Sequence, residues 1–259
     1  MAGTLHLASD AGVATVTLDA PGKLNAISVA MWNELQRIFE ALAEDDGVHC
    51  VVVRGAGGNF AAGADLAEFE QLHADPANGR RFHLDVVMPA LDAVRNLPQP
   101  VVAAIEGVCA GGGLQVALAC DIRLATESSR FGVPVGRLGF PVVLPELRLL
   151  LDRLGQTLTA ELLLTGRLLG ALEAQQRGVV SQVAAAAEFE QRLAATVQAI
   201  LAGSPLAARR NKAQIRLLVE RRDFTAHDLD ASFDFLEGDD HREGLAAFIA
   251  KRLPKFRSK

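Results

Sequence analysis

Apolar residues in this chain recur with a period of two in some stretches and near 3.6 in others, and the two rhythms alternate along its first half. Leu5 to Leu7 and Ala14 to Leu18 predict short strands, joined by a hairpin turn at Asp10-Ala11-Gly12. Ser28 caps a predicted helix running to about Glu44, with Met31, Leu35, Ile38, Phe39 and Leu42 on one face. Cys50 to Val53 is a β-branched run and predicts a buried strand, closed by Gly55-Ala56-Gly57-Gly58. A dinucleotide-binding reading of those glycines is weak, because Asn59-Phe60-Ala61-Ala62-Gly63 does not continue as a helix behind them. Residues 66–73 and 80–97 read as helices, the second ending before Pro98 and Pro100. A strand at 100–105, a glycine turn at Gly107–Gln115, a buried helix from Leu114 to Cys120 and a strand from Ile122 to Ala125 follow.

After Gly166 a strand–helix–strand rhythm runs to about Val183, and from Glu188 the pattern is helical at 188–202, 205–221, 225–237 and 240–252. The expected organisation is an α/β core over residues 1–203 and a helical region over 204–259, divided at Gly203-Ser204-Pro205. The last two helices carry Leu229, Phe233, Leu236, Leu245, Phe248 and Ile249 on apolar faces. Such faces either cap the chain's own core or dock on another subunit, and the pattern alone does not choose.

Composition narrows the partners. With 259 residues, half of them apolar, the chain can bury one full core. A net charge of -5 gives no reason to expect nucleic acid or an anionic membrane. No apolar run reaches the roughly 20 residues of a membrane span, and Met1 to His6 does not resemble a secretion signal. Cys50, Cys109 and Cys120 are odd in number and lie in apolar surroundings, so a reduced, cytoplasmic protein is expected. The six histidines are scattered without ligand spacing, and no metal site is expected. Arg209-Arg210-Asn211-Lys212 reads as one solvated helix face.

The candidate chemistry sits at the glycine turn. Gly111-Gly112-Gly113 between a strand and a helix lets backbone N–H groups approach a ligand, aided by the helix dipole, and favours negative charge on an oxygen. Gln115 ends the turn, and its amide cannot take up or deliver a proton as a carboxylate can.

Two segments, Asn59-Phe60-Ala61-Ala62-Gly63-Ala64-Asp65-Leu66-Ala67-Glu68-Phe69 and Gly111-Gly112-Gly113-Leu114-Gln115 with Cys120-Asp121-Ile122-Arg123 behind it, together resemble the crotonase superfamily of enoyl-CoA hydratases and isomerases. Leu24-Asn25-Ala26, Arg130-Phe131-Gly132, Leu163-Leu164-Thr165-Gly166 and Arg242-Glu243-Gly244 extend the resemblance over essentially the whole chain. It implies a crotonase-like (ClpP/crotonase) α/β spiral of ββα units, a C-terminal helical trimerisation region, and a homotrimer or dimer of trimers. It also implies an acyl-CoA ligand, a place in fatty acid metabolism, lyase or isomerase chemistry and no tightly bound cofactor. Carried over residue by residue, the backbone N–H groups of Ala64 and Gly112 would hold the thioester oxygen. Lys23, Leu24, Ala62, Ala64, Asp65 and Leu66 would line the CoA path, and Lys255 and Phe256 would reach CoA on a neighbouring subunit. Asp65 also reads as a helix N-cap, and Lys23 as a solvated turn residue.

One departure governs the chemistry. Hydration of an enoyl thioester needs two proton carriers, and the positions that hold glutamates in the hydratases are Gln115 and Val135 here. A further acid position used by some relatives is Val143. Between Val133 and Leu147 the titratable groups are Arg137 and Glu146. Glu146 is a candidate substitute base, although it follows Pro145 at a helix start where the dipole favours a carboxylate in any case. His83 and Asp85 lie on the helix expected to flank the acyl pocket, and Glu106 reads as structural or paired with an arginine.

Three functions remain open at this point. One is an enzyme relying mainly on enolate stabilisation, for which decarboxylation of a malonyl-type thioester is the clearest example. The segment Leu138-Gly139-Phe140-Pro141 resembles the methylmalonyl-CoA decarboxylases in that respect. The others are a non-catalytic acyl-CoA-binding protein and a hydratase or isomerase with different acid–base residues. Glutamates restored at 115 and 135 are expected to bring hydration of crotonyl-CoA if their loss is what blocks it.

Overall fold

The computed structural model describes residues 3–221 and 223–256. Among these residues nine strands form two sheets: β1 (Thr4–Asp10), β2 (Val13–Asp19), β3 (Cys50–Gly55), β4 (Val101–Ile105), β5 (Val108–Ala110), β6 (Ile122–Thr126), β7 (Arg130–Gly132), β8 (Leu169–Gly170) and β9 (Gln182–Ala184). The larger sheet has the order β1-β2-β3-β4-β6-β9, antiparallel at the β1–β2 hairpin and parallel elsewhere, and β5-β7-β8 form the smaller one.

Period-two patterning decides which side of the large sheet each residue faces. Val51, Val53, Val101, Ala103 and Ile105 join the main core beneath the helices Val29–Ala43 and Met88–Asn96. Their neighbours Cys50, Val52, Val102 and Ala104 face the opposite way, under the helix Phe189–Leu201. Covered on both faces, these parallel strands read as unbroken apolar runs. The three cysteines are buried, and burial pushes the thiols of Cys50 and Cys120 up to about 12.

The predicted helix 80–97 is three segments: helix Pro76–Arg81, a π-helical turn Phe82–Val87, and helix Met88–Asn96. Pro89 has no N–H to give to the preceding turn, and its ring crowds the carbonyl four residues back. The chain widens there, and the N–H of Met88 donates to the carbonyl of His83, five residues earlier. The glycine turn likewise contains a strand, β5, and its helix begins at Gly112 rather than Leu114. Segment 225–237 divides into helix Ala226–Ala231 and a 3-10 turn Asp234–Glu237. The helix whose first turn carries Glu146 runs Leu144–Thr165 with a break at Gly155, where φ is 72°.

Arg209–Lys212 is not a solvated face. Lys212 lies on helix Pro205–Arg221 with its side chain 10% exposed, and its Nζ stands 2.7 Å from Asp121 Oδ2 while donating to the Gln99 carbonyl at 3.0 Å. Burial draws its pKa below the ordinary lysine value, with Asp121 acting against that. The same Asp121 oxygen accepts from the N–H of Val101 at 2.7 Å, so the helical tail is tied to the first residue of β4. Lys212→Met is therefore expected to destabilise the fold by about 2 kcal/mol, the usual scale for a charged hydrogen bond lost with its partner left in place. Urea unfolding monitored by circular dichroism checks this.

Exposed apolar side chains concentrate on the tail, where Phe248, Ile249 and Leu253 are each at least 80% exposed. Among the described residues no helix is long and apolar enough to cross a membrane.

Candidate functional site

Two backbone amides, those of Ala64 and Gly112, lie close together on the wall of one cavity. Ile27 and Ala64 form a parallel bridge, in which the N–H of Ile27 donates to Gly63 O (2.7 Å) and the N–H of Asp65 donates to Ile27 O (3.0 Å). That pattern uses the groups on either side of Ala64 and turns the N–H of Ala64 itself away from Ile27. It faces the start of helix Gly112–Ala119: a Cβ placed on Gly112 would lie 3.7 Å from Ala64 N. Gly112 is the first residue of that helix, so its N–H has no acceptor within the helix. Among the described residues neither N–H has a protein acceptor.

The glycines here are required by contact and by backbone. A Cβ on Gly113 would lie 2.3 Å from the carbonyl of Ala61, and Gly111 adopts φ 52° while its N–H donates to Gly132 O. Gly112 packs against Trp32, whose Nε1 is buried without a hydrogen-bond partner among the described residues.

Both amides open on a cavity of about 530 Å³ with predominantly apolar walls, including Phe82, Val87, Val133, Val135 and Phe140. Lys23, Ala62, Asp65 and Leu66 line it as well. Lys23 Nζ donates to Asp65 Oδ2 at 2.6 Å, and Asp65 Oδ1 caps the N–H of Ala67 at 3.1 Å. The bond from Lys23 holds the Asp65 carboxyl below the usual carboxylate range, opposed by burial and supported by the Ala67 N–H. Leu24 is exposed and reaches the site only through its carbonyl, which accepts from Ala62 N at 2.9 Å. Lys255 and Phe256 do not line this cavity. The Lys255 backbone donates to Glu243, and Phe256 lies over Gly244 within the tail.

The cavity holds a candidate acid–base pair away from positions 115 and 135. Glu146, only 6% exposed, lies in the first turn of helix Leu144–Thr165, where the dipole favours it, but its side chain turns to other partners. Its Oε1 lies 2.6 Å from His83 Nδ1, and its Oε2 accepts from Gln115 Nε2 at 2.8 Å. His83, Gln115 and Glu146 all line the cavity. The π-helical turn carries His83 to this place, and Gln115 stands one helical turn after Gly112. Asp85 is exposed and Glu106 pairs with Arg54 at 3.3 Å, so neither belongs to the cluster. Val143 is the N-cap of helix Leu144–Thr165 and does not line the cavity.

His73 was not singled out from sequence. Its ring stacks on Phe69 with centroids 4.5 Å apart and lies 5.5 Å from that of His83. Burial, and then the charge of His83, lower its pKa. Only packing places it here, and no local motif marks it. Among the described residues no group of three or more His, Cys, Asp or Glu is arranged to hold a metal ion.

The sequence profile of the family described as Enoyl-CoA hydratase/isomerase matches residues 8–259. The chain belongs to the enoyl-CoA hydratase/isomerase family. A solved structure of an enoyl-CoA hydratase/carnithine racemase from Magnetospirillum magneticum superposes with a TM-score of 0.96 at 41% identity, covering 98% of this chain and 96% of that one. A protein of Arabidopsis thaliana named "Probable enoyl-CoA hydratase 2, mitochondrial" is 33% identical over 96% of this chain and 82% of its own length. One of Mycobacterium bovis, "Probable enoyl-CoA hydratase echA8", is 34% identical over 98% and 97%. The crotonase-type α/β fold expected from the sequence is the one observed, with a helical region at its C-terminus.

Proposed function

We propose that this member of the enoyl-CoA hydratase/isomerase family is an enzyme that binds a CoA thioester and stabilises its enolate between the N–H groups of Ala64 and Gly112. The observation that carries this reading is the pair of adjacent, unpaired amide donors opening on an apolar cavity of about 530 Å³. Removing a proton or carboxylate from the carbon next to a thioester carbonyl places charge on the carbonyl oxygen. A single preorganised donor at such a position is worth on the order of 10²–10³ in rate. The apolar walls suit an acyl chain, and Lys23, Leu24, Ala62, Asp65 and Leu66 would guide the CoA portion.

Hydration through two glutamates does not fit. Gln115 is a hydrogen-bond donor to Glu146 in this fold, and Val135 is part of the apolar wall. The His83–Glu146 contact favours proton transfer by other residues over decarboxylation, which needs no base. Assembly as a homotrimer, alone or paired into a hexamer, is supported by the apolar surface of the tail. In such an assembly Lys255 and Phe256 would approach CoA bound to a neighbour.

Calorimetric titration with butanoyl-, hexanoyl- and malonyl-CoA tests the reading alongside turnover with enoyl-, 3-hydroxyacyl- and malonyl-type thioesters. Saturable binding of at least one thioester, with turnover in at least one class, is expected. Binding without any turnover would leave an acyl-CoA-binding protein, and failure to bind any thioester would exclude both readings.

A further inference from the structure

We propose that His83 is the proton carrier of this cavity, positioned by Glu146 and Gln115, and that its substrates are acyl thioesters which lose and regain an α-proton, 3-enoyl thioesters above all. This inference rests on the thioester reading above and adds the identity of the base and the class of reaction.

The hydrogen bonds fix the direction of proton flow. Gln115 Nε2 can only donate, so Glu146 Oε2 is an acceptor. With Glu146 ionised, its Oε1, 2.6 Å from His83 Nδ1, accepts as well, and Nδ1 then carries the ring proton. That tautomer leaves the lone pair on His83 Nε2, which has no protein partner among the described residues. Both oxygens of Glu146 are taken, which suits it to orient the imidazole and to steady the imidazolium that forms. The free nitrogen belongs to His83.

Gln115 connects this arrangement to the amide pair. It follows Gly112 by three residues on one helix, a rise of about 4.5 Å along the same face. One rigid element therefore holds a donor for the thioester oxygen and the amide that anchors the base's partner, and the reacting carbon is one bond from the carbonyl carbon. This also accounts for a glutamine at 115: a carboxylate there would face the Glu146 carboxylate at 2.8 Å.

The chemistry needs no co-reactant. His83 Nε2 takes a proton from Cα, and the C–H electron pair becomes the Cα–C bond of the enolate. The carbonyl π pair moves onto the oxygen held by Ala64 and Gly112. The imidazolium returns the proton to Cα, giving exchange, or to Cγ of a 3-enoyl chain, which moves the double bond to position 2. A single carrier completes either cycle. Hydration would need a second carrier, and the candidate place for one is Val135 in the apolar wall.

The test uses the full chain with trans-3-hexenoyl-CoA in D₂O, following deuterium uptake by mass spectrometry and 2-enoyl formation by absorbance. Hexanoyl-CoA titration measures binding in parallel. Wild type is expected to incorporate deuterium and shift the double bond. His83→Ala and His83→Gln should lose on the order of 10²–10⁴ in rate with hexanoyl-CoA binding nearly unchanged. His83→Gln keeps a donor for Glu146 and should melt close to wild type, whereas His83→Ala leaves Glu146 without its partner and should melt lower. Added imidazole should partly rescue the rate of His83→Ala alone. Glu146→Gln should lower kcat while leaving KM close to wild type. The assignment is overturned if either His83 variant exchanges within tenfold of wild type, or if Glu146→Gln is silenced while the His83 variants stay active. Wild type that binds hexanoyl-CoA but exchanges no proton also overturns it, leaving thioester binding intact. Wild type that binds neither thioester removes the underlying reading as well.

Discussion

Gly112→Ala is expected to lower turnover of an acyl-CoA substrate by on the order of 10²–10³-fold, the loss that follows when one oxyanion donor is displaced. The added Cβ would stand 2.9 Å from Trp32 Cζ2, and Trp32 is only 1% exposed. A buried indole has nowhere to go, so the first turn of helix Gly112–Ala119 must shift and carry its N–H away from Ala64. Overpacking of this kind also costs about 1–3 kcal/mol of stability. Both consequences have one cause, so in a Trp32→Phe background, where the crowding atoms are gone, stability and turnover should recover most of their loss together. Steady-state kinetics and thermal unfolding of the single and double variants check this. A single variant within tenfold of wild type would show that the Gly112 amide does not carry the developing charge.

Gln115→Glu should also inactivate, although it restores the residue the hydratases hold at this position. Two ionised carboxylates at the 2.8 Å now separating Gln115 Nε2 from Glu146 Oε2 would repel by on the order of 6 kcal/mol at an effective dielectric of about 20. One of them keeps a proton instead. The folded variant then holds a proton that the unfolded chain releases above the ordinary carboxylate range. Its stability deficit against wild type therefore widens as pH rises through that range towards neutrality and closes below it. Denaturant unfolding of both proteins across that interval measures the difference. A proton shared between the two carboxyls weakens Glu146 as the ionised partner of His83, so hydration of crotonyl-CoA by Gln115→Glu/Val135→Glu is not expected. The hydrogen bond from Gln115 to Glu146 argues against the gain of hydration expected from the sequence.

How legible each part was depends on the distance over which its cause acts. The alternation of Ala14, Val16 and Leu18 is local and marks β2, each of the three being fully buried in the fold. The cap at Ser28 and the pairing of Asp65 with Ala67 are local as well. Ala64 and Gly112 were readable as a pair only through the order and spacing of two loose motifs, which resemblance supplied. Glu146 was visible as a carboxylate and His83 as a histidine, but they lie 63 residues apart. Their meeting depends on a π-helical turn before Pro89 and on the packing of helix Leu144–Thr165 against Gln115. No periodicity encodes that contact. Lys212 misled for a related reason: within Arg209–Lys212 the helical pattern does not distinguish the side chain that reaches Asp121 and Gln99 from its neighbours.

The most direct test of the amide pair is the infrared difference spectrum of hexanoyl-CoA carrying ¹³C at the thioester carbonyl, bound to the wild-type protein. Two aligned donors polarise a carbonyl before any reaction occurs. The account predicts a bound carbonyl stretch clearly below that of free thioester, with the shift reduced in Gly112→Ala. A bound thioester whose carbonyl stretch equals that of the free molecule would contradict it.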